Sequence, residues 1–354
     1  MKVLFITRKY PPQTGGMENY SYDLIRFAQV DKKVIALSKK QIHLIWFLPW
    51  ALLKALFLIK QVDLVYLTDG LLGPIGLILK KMSGKPVLAT VHGLDVTYPN
   101  WLYQKINVGS LKKLDKIIAI SPETVEQCLQ RGITREKITQ IPDGIDCAKF
   151  YQPSLSREDL QKIVPFDLNN SKILLSVGRL VERKGTAWFI RHIMPQLKPK
   201  IRYLVVGAGP EEQAVRRAIS EAGQEERVFL SGKISDQDLH VVYNTADLFI
   251  MPNIKVAGDM EGFGLVALEA SAAGLPVIAA DLEGIKEAIT DQENGFLLQS
   301  GQVGSWIKKI TSLLKDDQLR SEFGRRAREY TKENFDWQVI AQKYLHVFNE
   351  YTTN

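Results

Sequence analysis

Short apolar runs alternate with longer amphipathic segments along the first half of the chain. The runs have the length and residue types of buried strands, and the longer segments carry apolar residues at helical spacing. We predict strands at residues 2–6, 33–37, 64–67, 86–91 and 116–120, and helices at 17–29, 42–59, 74–82 and 122–131. Since strands that alternate with helices usually form parallel sheets, this half predicts a doubly wound α/β domain.

The same pattern begins again in the second half. A polar stretch at residues 154–171, with Pro153 before it and Pro165 within it, predicts a linker. Further strands are predicted at 173–177, 202–206, 228–230, 248–251 and 277–279. The predicted fold class is therefore α/β, with two Rossmann-like doubly wound parallel-sheet domains, 1–152 and 153–336, and a cleft between them.

Length and cysteine content fit a two-domain cytoplasmic protein. The chain has 354 residues, and single cores stop growing near about 250–300 residues. Cys128 and Cys147 have neither metal-site spacing nor a disulfide framework, which favours a reducing compartment. The apolar part of the N-terminus is too short for a signal peptide and predicts a first strand.

The net charge of +7 is unevenly spread. Residues 1–150 hold 21 Lys and Arg against 12 Asp and Glu, and the remainder holds 25 against 27. A basic first half predicts a polyanionic partner, such as an anionic membrane or a phosphorylated acceptor. We predict no nucleic-acid partner, because no aromatic-rich basic motif of a known nucleic-acid module is present.

Polar residues follow several predicted strands, where sheets of this type bind ligands. Gly15 and Gly16 open a helix after the first strand and would let backbone amides approach a diphosphate, although a plain turn explains them equally well. His92 and Asp95 follow the fourth strand, where a histidine is either structural or catalytic.

Cations and carboxylates follow strands of the second half too. Arg179 and Lys184 come after its first strand, where they either hold phosphates or form a solvated basic loop. Asp236 and Asp238 have the spacing of a metal-binding pair but are typical of a helix cap and first turn. We therefore predict no metal site.

The stretch from Glu261 to Glu269 places two carboxylates around a glycine-flanked turn and the start of an apolar helix. A helix N-terminus favours anionic groups, and carboxylates accept hydrogen bonds from sugar hydroxyls, each worth roughly 1.5–3 kcal/mol. An ordinary helix with an acidic N-terminus has the same spacing, so this pattern alone leaves both interpretations open.

Taken in order, these motifs resemble the retaining glycosyltransferases of family 4, which have the two-domain GT-B fold. The motifs are Pro11-Pro12-x-x-Gly15-Gly16-x-Glu18, His92-Gly93, Ile141-Pro142-Asp143-Gly144-Ile145-Asp146, Gly178-Arg179 with Lys184-Gly185, Gly207-x-Gly209-Pro210, Glu261-x7-Glu269 and Asn294-Gly295. The chain departs from the family at Asp143, where the family usually has Asn.

The resemblance implies roles for charged residues. Arg179 and Lys184 would neutralise the donor diphosphate, and Glu269 would accept the ribose hydroxyls. Glu261 would approach the transferred sugar, and His92 would touch the sugar near the reacting centre.

The resemblance also implies further donor-binding residues and an acceptor-side residue. The remaining donor-binding residues would be Gly15, Gly16, Lys233, Ile234, Gly262, Phe263, Gly264 and Leu265. Asp95 would lie on the acceptor side. The last helix, 337–354, would return to the N-terminal domain.

The implied reaction is retaining transfer of a hexose-type sugar from a UDP- or GDP-linked donor to a hydroxyl of a glycan or lipid-linked acceptor. It needs no cofactor and no metal. An NAD-dependent oxidoreductase is disfavoured, because Gly207-Ala208-Gly209-Pro210 lacks the third glycine of the dinucleotide motif. A nucleotide-sugar epimerase, a phosphorylase and a non-catalytic nucleotide-sugar-binding protein remain as alternatives with the same fold.

Residues 42–59 contain only His43 and Lys54 as polar side chains, a length and composition that suit a membrane span. We predict a crossover helix instead, because a span would separate strands of one sheet. The outward face of this helix, with Trp46, Phe47 and Trp50, is apolar, so we predict that it contacts a partner.

Our hypothesis for this partner is an anionic leaflet, contacted peripherally through residues 42–60, with the protein on the inner face of the membrane. Burial under neighbouring segments or in a dimer is the alternative.

Overall fold

The computed structural model of the chain describes residues 1–13, 15–39, 41–257, 259, 261–282 and 284–352. Its contacts define two compact units, which we call the N-terminal unit (Met1–Gly144 and Trp337–Asn354) and the C-terminal unit (Ile145–Asp336). The first boundary lies at Gly144, whereas the sequence predicts it at residue 152.

In the described part of the N-terminal unit, six parallel strands form one sheet in the order β2-β1-β3-β4-β5-β6. The strands are β1 (Lys2–Thr7), β2 (Asp31–Ala36), β3 (Leu64–Leu67), β4 (Val87–Val91), β5 (Lys116–Ala119) and β6 (Ile138–Gln140). The central strands β1, β3 and β4 are almost wholly buried, because helices cover both faces of a parallel sheet.

The described part of the C-terminal unit has a second parallel sheet, in the order β12-β11-β10-β7-β8-β9. Its strands are β7 (Lys172–Val177), β8 (Ile201–Val206), β9 (Val228–Gly232), β10 (Leu248–Met251), β11 (Val277–Ala280) and β12 (Phe296–Leu298). The predicted fold class, a doubly wound α/β protein with two parallel sheets, is confirmed.

Helices connect the strands in both units. They are α1 (Gly16–Phe27), α2 (Leu44–Leu58), α3 (Gly73–Ser83), α4 (Leu94–Thr97), α5 (Trp101–Tyr103), α6 (Gly109–Leu111), α7 (Pro122–Gln130), α8 (Cys147–Phe150), α9 (Arg157–Gln161), α10 (Thr186–His192), α11 (Glu212–Glu221), α12 (Asp236–Thr245), α13 (Leu265–Ala272), α14 (Ile285–Ala288), α15 (Val303–Lys315), α16 (Asp317–Phe335) and α17 (Trp337–Glu350). A π-helical turn, Gln104–Val108, joins α5 to α6.

The helix α17 belongs to the core of the N-terminal unit. The Tyr344 hydroxyl lies 2.9 Å from that of Tyr20 on α1, and the Tyr20 hydroxyl lies 2.6 Å from that of Thr90 on β4. All three side chains are buried, so these hydrogen bonds compensate for the lost hydration of their hydroxyls.

The predicted linker at 154–171 is wrong. Leu160, Val164 and Leu168 are buried in the core of the C-terminal unit, and Ser156 forms a capping box at the start of α9. The helix α9 ends at Gln161, so Val164 and Leu168 follow it in irregular backbone, where no periodic pattern marks the buried positions. This stretch is therefore part of the C-terminal unit.

Candidate functional site

Two cations and an amide surround Glu261 in the C-terminal unit. Lys184 Nζ lies 2.7 Å from Glu261 Oε2, and Arg183 Nε lies 3.6 Å from the same oxygen. The side-chain amide of Asn253 donates to this oxygen over 3.0 Å. Lys184 and Glu261, which the sequence singled out eighty residues apart, therefore meet in one cluster.

The loops after β7 and β10 bring these side chains together. Gly185 follows the short 3₁₀ turn Glu182–Lys184 with φ +65°, and a Cβ there would lie 2.0 Å from the carbonyl oxygen of Pro252. Only glycine allows this approach, so Gly185 fixes Lys184 beside Asn253.

The electrostatics of the cluster keep Glu261 ionised. Burial alone would raise the pKa of this carboxyl, but Lys184, Arg183 and the Asn253 amide together hold it below its ordinary value. The carboxylate is the counter-ion of the cations when no ligand is bound.

Glu269 lies in α13 and has a different environment. Its Oε2 accepts a hydrogen bond of 2.6 Å from the hydroxyl of Tyr243, a buried residue on α12. Burial raises the pKa of Glu269, and the Tyr243 hydroxyl and the positive charges of Lys149 and, more weakly, Lys184 lower it in part. The field of Lys184 thus reaches both glutamates of the motif.

The N-terminus of α13 follows Glu261 by four residues. Gly264 precedes the helix in the left-handed conformation, with φ +80°. Phe263 is buried against Phe335, and Gly262 is exposed. The unsatisfied amides of a first helical turn suit an anionic group.

Arg179, Lys233 and Ile234 occupy the ends of other strands in this unit. Arg179 is exposed and lines a hollow that Lys184 also lines. Its backbone carbonyl accepts a hydrogen bond from the Val181 amide, but among the described residues its guanidinium has neither a hydrogen bond nor an ion pair. After β9, Lys233 is exposed, and Ile234 packs in part against the core.

The glycines of Gly207-x-Gly209 serve the packing of the sheet. A Cβ at Gly207 would lie 1.9 Å from the Gly178 carbonyl oxygen, and one at Gly209 would lie 2.1 Å from that of Leu180. The loops after β7 and β8 approach each other closely here. This packing accounts for the two glycines of the incomplete dinucleotide motif without a bound dinucleotide.

In the N-terminal unit, His92 lies at the carboxyl end of β4. Its Nε2 is 3.1 Å from the carbonyl oxygen of Thr68, and its ring meets Tyr20 edge-on with centroids 4.7 Å apart. The ring is partly buried and firmly oriented.

Asp95 braces two loops of the same unit. Its Oδ2 accepts hydrogen bonds from the backbone amides of His92, at 2.9 Å, and Gly70, at 3.2 Å. The side chain is buried. These contacts give Asp95 a positioning role for His92.

Near Asp95 lies an ion pair that the sequence analysis did not identify. Arg8 Nε is 3.0 Å from Asp69 Oδ1, and Asp69 Oδ2 has no hydrogen-bond partner among the described residues although it is buried. Burial raises the pKa of Asp69 in spite of Arg8.

The loop between β1 and α1 carries the two predicted glycines. Gly15 precedes α1 and Gly16 is its first residue. Lys9 Nζ lies 2.9 Å from Oε1 of the buried Glu18 on this helix.

Two family models match the chain in sequence. The model described as Glycosyltransferase Family 4 matches residues 2–149, and the model described as Glycosyl transferases group 1 matches residues 157–330. Together they span most of both units. The chain belongs to the group 1, family 4 glycosyltransferases.

Relatives of this glycosyltransferase extend over nearly its whole length. A GDP-mannose-dependent alpha-(1-6)-phosphatidylinositol monomannoside mannosyltransferase of Mycolicibacterium smegmatis is 24% identical and covers 95% of each chain. A D-inositol 3-phosphate glycosyltransferase of Corynebacterium efficiens is 26% identical over 83% of this chain and 72% of that protein. The crystal structure of Anabaena HepE with UDP covers 99% of this chain and all of that one at 21% identity, with a TM-score of 0.80, which shows the GT-B fold.

The helix α2 of this glycosyltransferase has an exposed apolar face. Among the described residues, Leu44–Gln61 is the one segment long and apolar enough to cross a membrane, by length and composition only, and 22% of it is buried. Trp46 is 76% exposed and Phe57 81%. Phe47, predicted on the outward face, is buried, so that part of the prediction is wrong. Neighbouring described segments do not cover this face.

Several site residues carry little or no signal in the sequence. Arg8 and Asp69 follow strands. The rule that ligands bind at the carboxyl ends of parallel strands, which singled out His92, could therefore have found them too. Asn253 and Tyr243 lie in segments without a motif, and only their distances to the glutamates identify them.

Proposed function

We propose that this glycosyltransferase transfers a hexose, with retention, from a nucleoside diphosphate sugar to a hydroxyl acceptor. The observation that carries the proposal is the convergence of Lys184 and Arg183 on Glu261, four residues before the N-terminus of α13. A relative that depends on GDP-mannose and a fold neighbour complexed with UDP support a GDP- or UDP-linked donor.

In the proposed reaction, the acceptor oxygen bonds to the anomeric carbon as the bond from that carbon to the diphosphate oxygen breaks. The acceptor proton passes to the departing diphosphate on the same face of the sugar. Negative charge grows on the diphosphate, where Arg179, Lys184 and the amides of α13 would stabilise it without reorganisation. Each tenfold in rate requires about 1.4 kcal/mol of such stabilisation.

The remaining roles follow from position. Glu269 would accept the ribose hydroxyls, and Glu261 would hold a hydroxyl of the transferred sugar. In the N-terminal unit, His92 would contact the sugar near the reacting carbon, with Asp95 fixing the histidine's backbone. Protein cations in place of a metal make the reaction metal-independent.

We further propose a lipid-linked acceptor. Two relatives act, by their names, on a phosphatidylinositol mannoside and on an inositol phosphate. A phosphorylated polyol suits the basic N-terminal half, and peripheral contact of residues 42–60 with an anionic leaflet would bring a lipid-borne one within reach.

A donor panel tests the catalytic proposal. We expect UDP-, GDP- or ADP-sugars to raise the melting temperature, since a ligand at 100 times its Kd adds about 2.7 kcal/mol of stability. Release of nucleoside diphosphate on adding acceptor would separate an enzyme from a non-catalytic binder. An inverted anomeric configuration of the product by NMR would exclude retention.

Variants of the cations test the diphosphate assignment. Arg179→Ala and Lys184→Ala should lower kcat strongly, because these charges meet the diphosphate as its charge grows. Arg191→Ala, which breaks an exposed pair with Glu221, is the control and should keep the wild-type rate. Wild-type rates in both test variants would refute the assignment.

A further inference from the structure

Exposed apolar side chains are concentrated on one part of the N-terminal unit. All but five of the large exposed apolar side chains of the described residues lie on α2, on α3 or in the segment 94–106. Monomeric soluble proteins rarely display large contiguous apolar patches, and those that exist usually mark an interaction site.

The segment 94–106 exposes five apolar side chains and is held in its conformation by hydrogen bonds. Leu94 and Trp101 are 68% and 73% exposed, and the other exposed side chains of the set are Tyr98, Leu102 and Ile106. Hydrogen bonds fold the segment on itself: the Tyr103 hydroxyl donates to the Asp95 carbonyl at 2.9 Å, and the Gln104 amide donates to the carbonyls of Val96 and Tyr98. The exposure is therefore a property of the folded segment.

The segment adjoins the exposed face of α2 through α3. The helix α2 packs beside α3, and α3 packs beside the π-helical turn Gln104–Val108. Between its neighbours α3 itself exposes Ile78 and Met82. Three neighbouring elements thus expose apolar side chains, which we together call the apolar surface.

The positive charge of this part of the chain favours an anionic partner. Residues 32–114 contain twelve lysines and three aspartates, and two of these aspartates, Asp69 and Asp95, are buried. Only Asp63 remains as an exposed acid in that range of described residues. A second copy of the chain suits this surface poorly, because a two-fold interface would face lysines with lysines. Tryptophan and tyrosine beside aliphatic side chains and lysine are typical of a membrane interface.

We propose that segment 94–106 is a second contact with an anionic bilayer, so that the protein docks through two sites, this segment and α2. The docking stands on the apolar surface and its charge and does not require catalysis. A consequence that does rest on the proposed function is that Leu94 holds its neighbour Asp95, and with it His92, at the membrane surface, where a lipid-linked head group would arrive.

Tryptophan fluorescence separates the two contacts. The variant Trp46→Phe/Trp50→Phe leaves Trp101 as the one tryptophan on this surface, since Trp306 and Trp337 are buried and Trp188 lies in the C-terminal unit. With vesicles of phosphatidylcholine and about one third phosphatidylglycerol that carry brominated acyl chains, we expect quenching in this variant. Adding Trp101→Phe should abolish the quenching, and high salt should reduce it.

A leucine pair provides a matched control. Leu102 in the segment and Leu319 in the C-terminal unit are 48% and 49% exposed. Leu102→Ala should lower vesicle affinity roughly tenfold, the lower end expected for burying one large apolar side chain. Leu319→Ala should leave vesicle affinity unchanged, and circular dichroism would verify that each variant is folded.

The outcomes are distinguishable. Quenching of Trp46 and Trp50 in a Trp101→Phe protein, without quenching of Trp101 in the converse variant, would overturn the second contact and leave α2 as the one contact. No quenching of any of them would overturn both contacts but not the proposed transfer, which nucleoside diphosphate release tests separately. A lipid-free dimer that Trp101→Asp dissociates would also overturn the proposal.

Discussion

Asp143 gives a direct test of electrostatics in the N-terminal unit. The side chain is 6% exposed, and its Oδ1 has no hydrogen-bond partner among the described residues. Burial raises its pKa from an ordinary value of 3.8 to about 6, and His92 offsets this only in part. Asparagine, the residue usual at this position in the family, cannot ionise. The perturbation is therefore Asp143→Asn.

The magnitude follows from the shift in the pKa. Between pH 3.8 and 6 the folded chain holds more protons than the unfolded one, so the free energy of unfolding falls as the pH rises. The stabilisation by the protonated Asp143 carboxyl is fully present below its pKa in the unfolded state. It is lost as the pH rises above its pKa in the folded state. At about 1.4 kcal/mol per pKa unit, the whole effect is about 3 kcal/mol, of which roughly half is lost between pH 5 and 8.

Urea unfolding at pH 5 and pH 8 measures this effect. We expect Asp143→Asn to be more stable than the wild type at pH 8, and this stability difference to shrink by roughly half at pH 5. Glu225→Gln removes an exposed carboxylate and controls for the change in net charge. If the stability difference between variant and wild type is the same at both pH values, Asp143 does not titrate in this range and the reasoning is wrong.

Four further predictions concern the proposed donor site. Glu269→Gln should raise the Kd of the donor by roughly tenfold to a hundredfold in calorimetry, because a charged acceptor of ribose hydroxyls is lost; wild-type affinity would refute the ribose role. Since burial raises the pKa of Glu269, donor affinity of the wild type should fall at acidic pH, and that of the variant should not. Turnover should survive EDTA, and a loss that manganese restores would refute metal independence. Lys184→Ala and Glu261→Ala should show a coupling of at least about 1 kcal/mol in a double-mutant cycle of unfolding, and additive effects would contradict the ion pair.

The sequence predicts the centre of each sheet better than its edges. The inner strands are continuous apolar runs, because both of their faces are buried. The strands β6 and β12 were missed since each has three residues, too few for a pattern to rise above its surroundings. The buried leucines of 154–171 were missed because the polar residues between them resemble a loop.

Site residues divide in a similar way. Positions after strands, such as Lys184 and His92, could be found from the order of elements alone. Contacts between distant segments could not be predicted, because neither the Tyr243–Glu269 hydrogen bond nor the Asn253–Glu261 hydrogen bond leaves a pattern in a single sequence. What sequence reasoning omits is the partner of each charged group.

Those partners explain how the proposed donor site can hold several cations and remain stable without a donor. Arg183 and Lys184 face Asp259 and Glu261 in ion pairs of 2.7–3.6 Å, so this cluster is neutral by itself. Arg179 is the exposed cation in the same hollow and has no such partner among the described residues. In the proposed reaction, the positive charge available to a diphosphate is therefore mainly that of Arg179, supplemented as Lys184 turns from Glu261 toward the ligand. Removing Arg179 should consequently weaken donor binding with little effect on folding, whereas removing Lys184 leaves a largely buried carboxylate short of a cation and affects both.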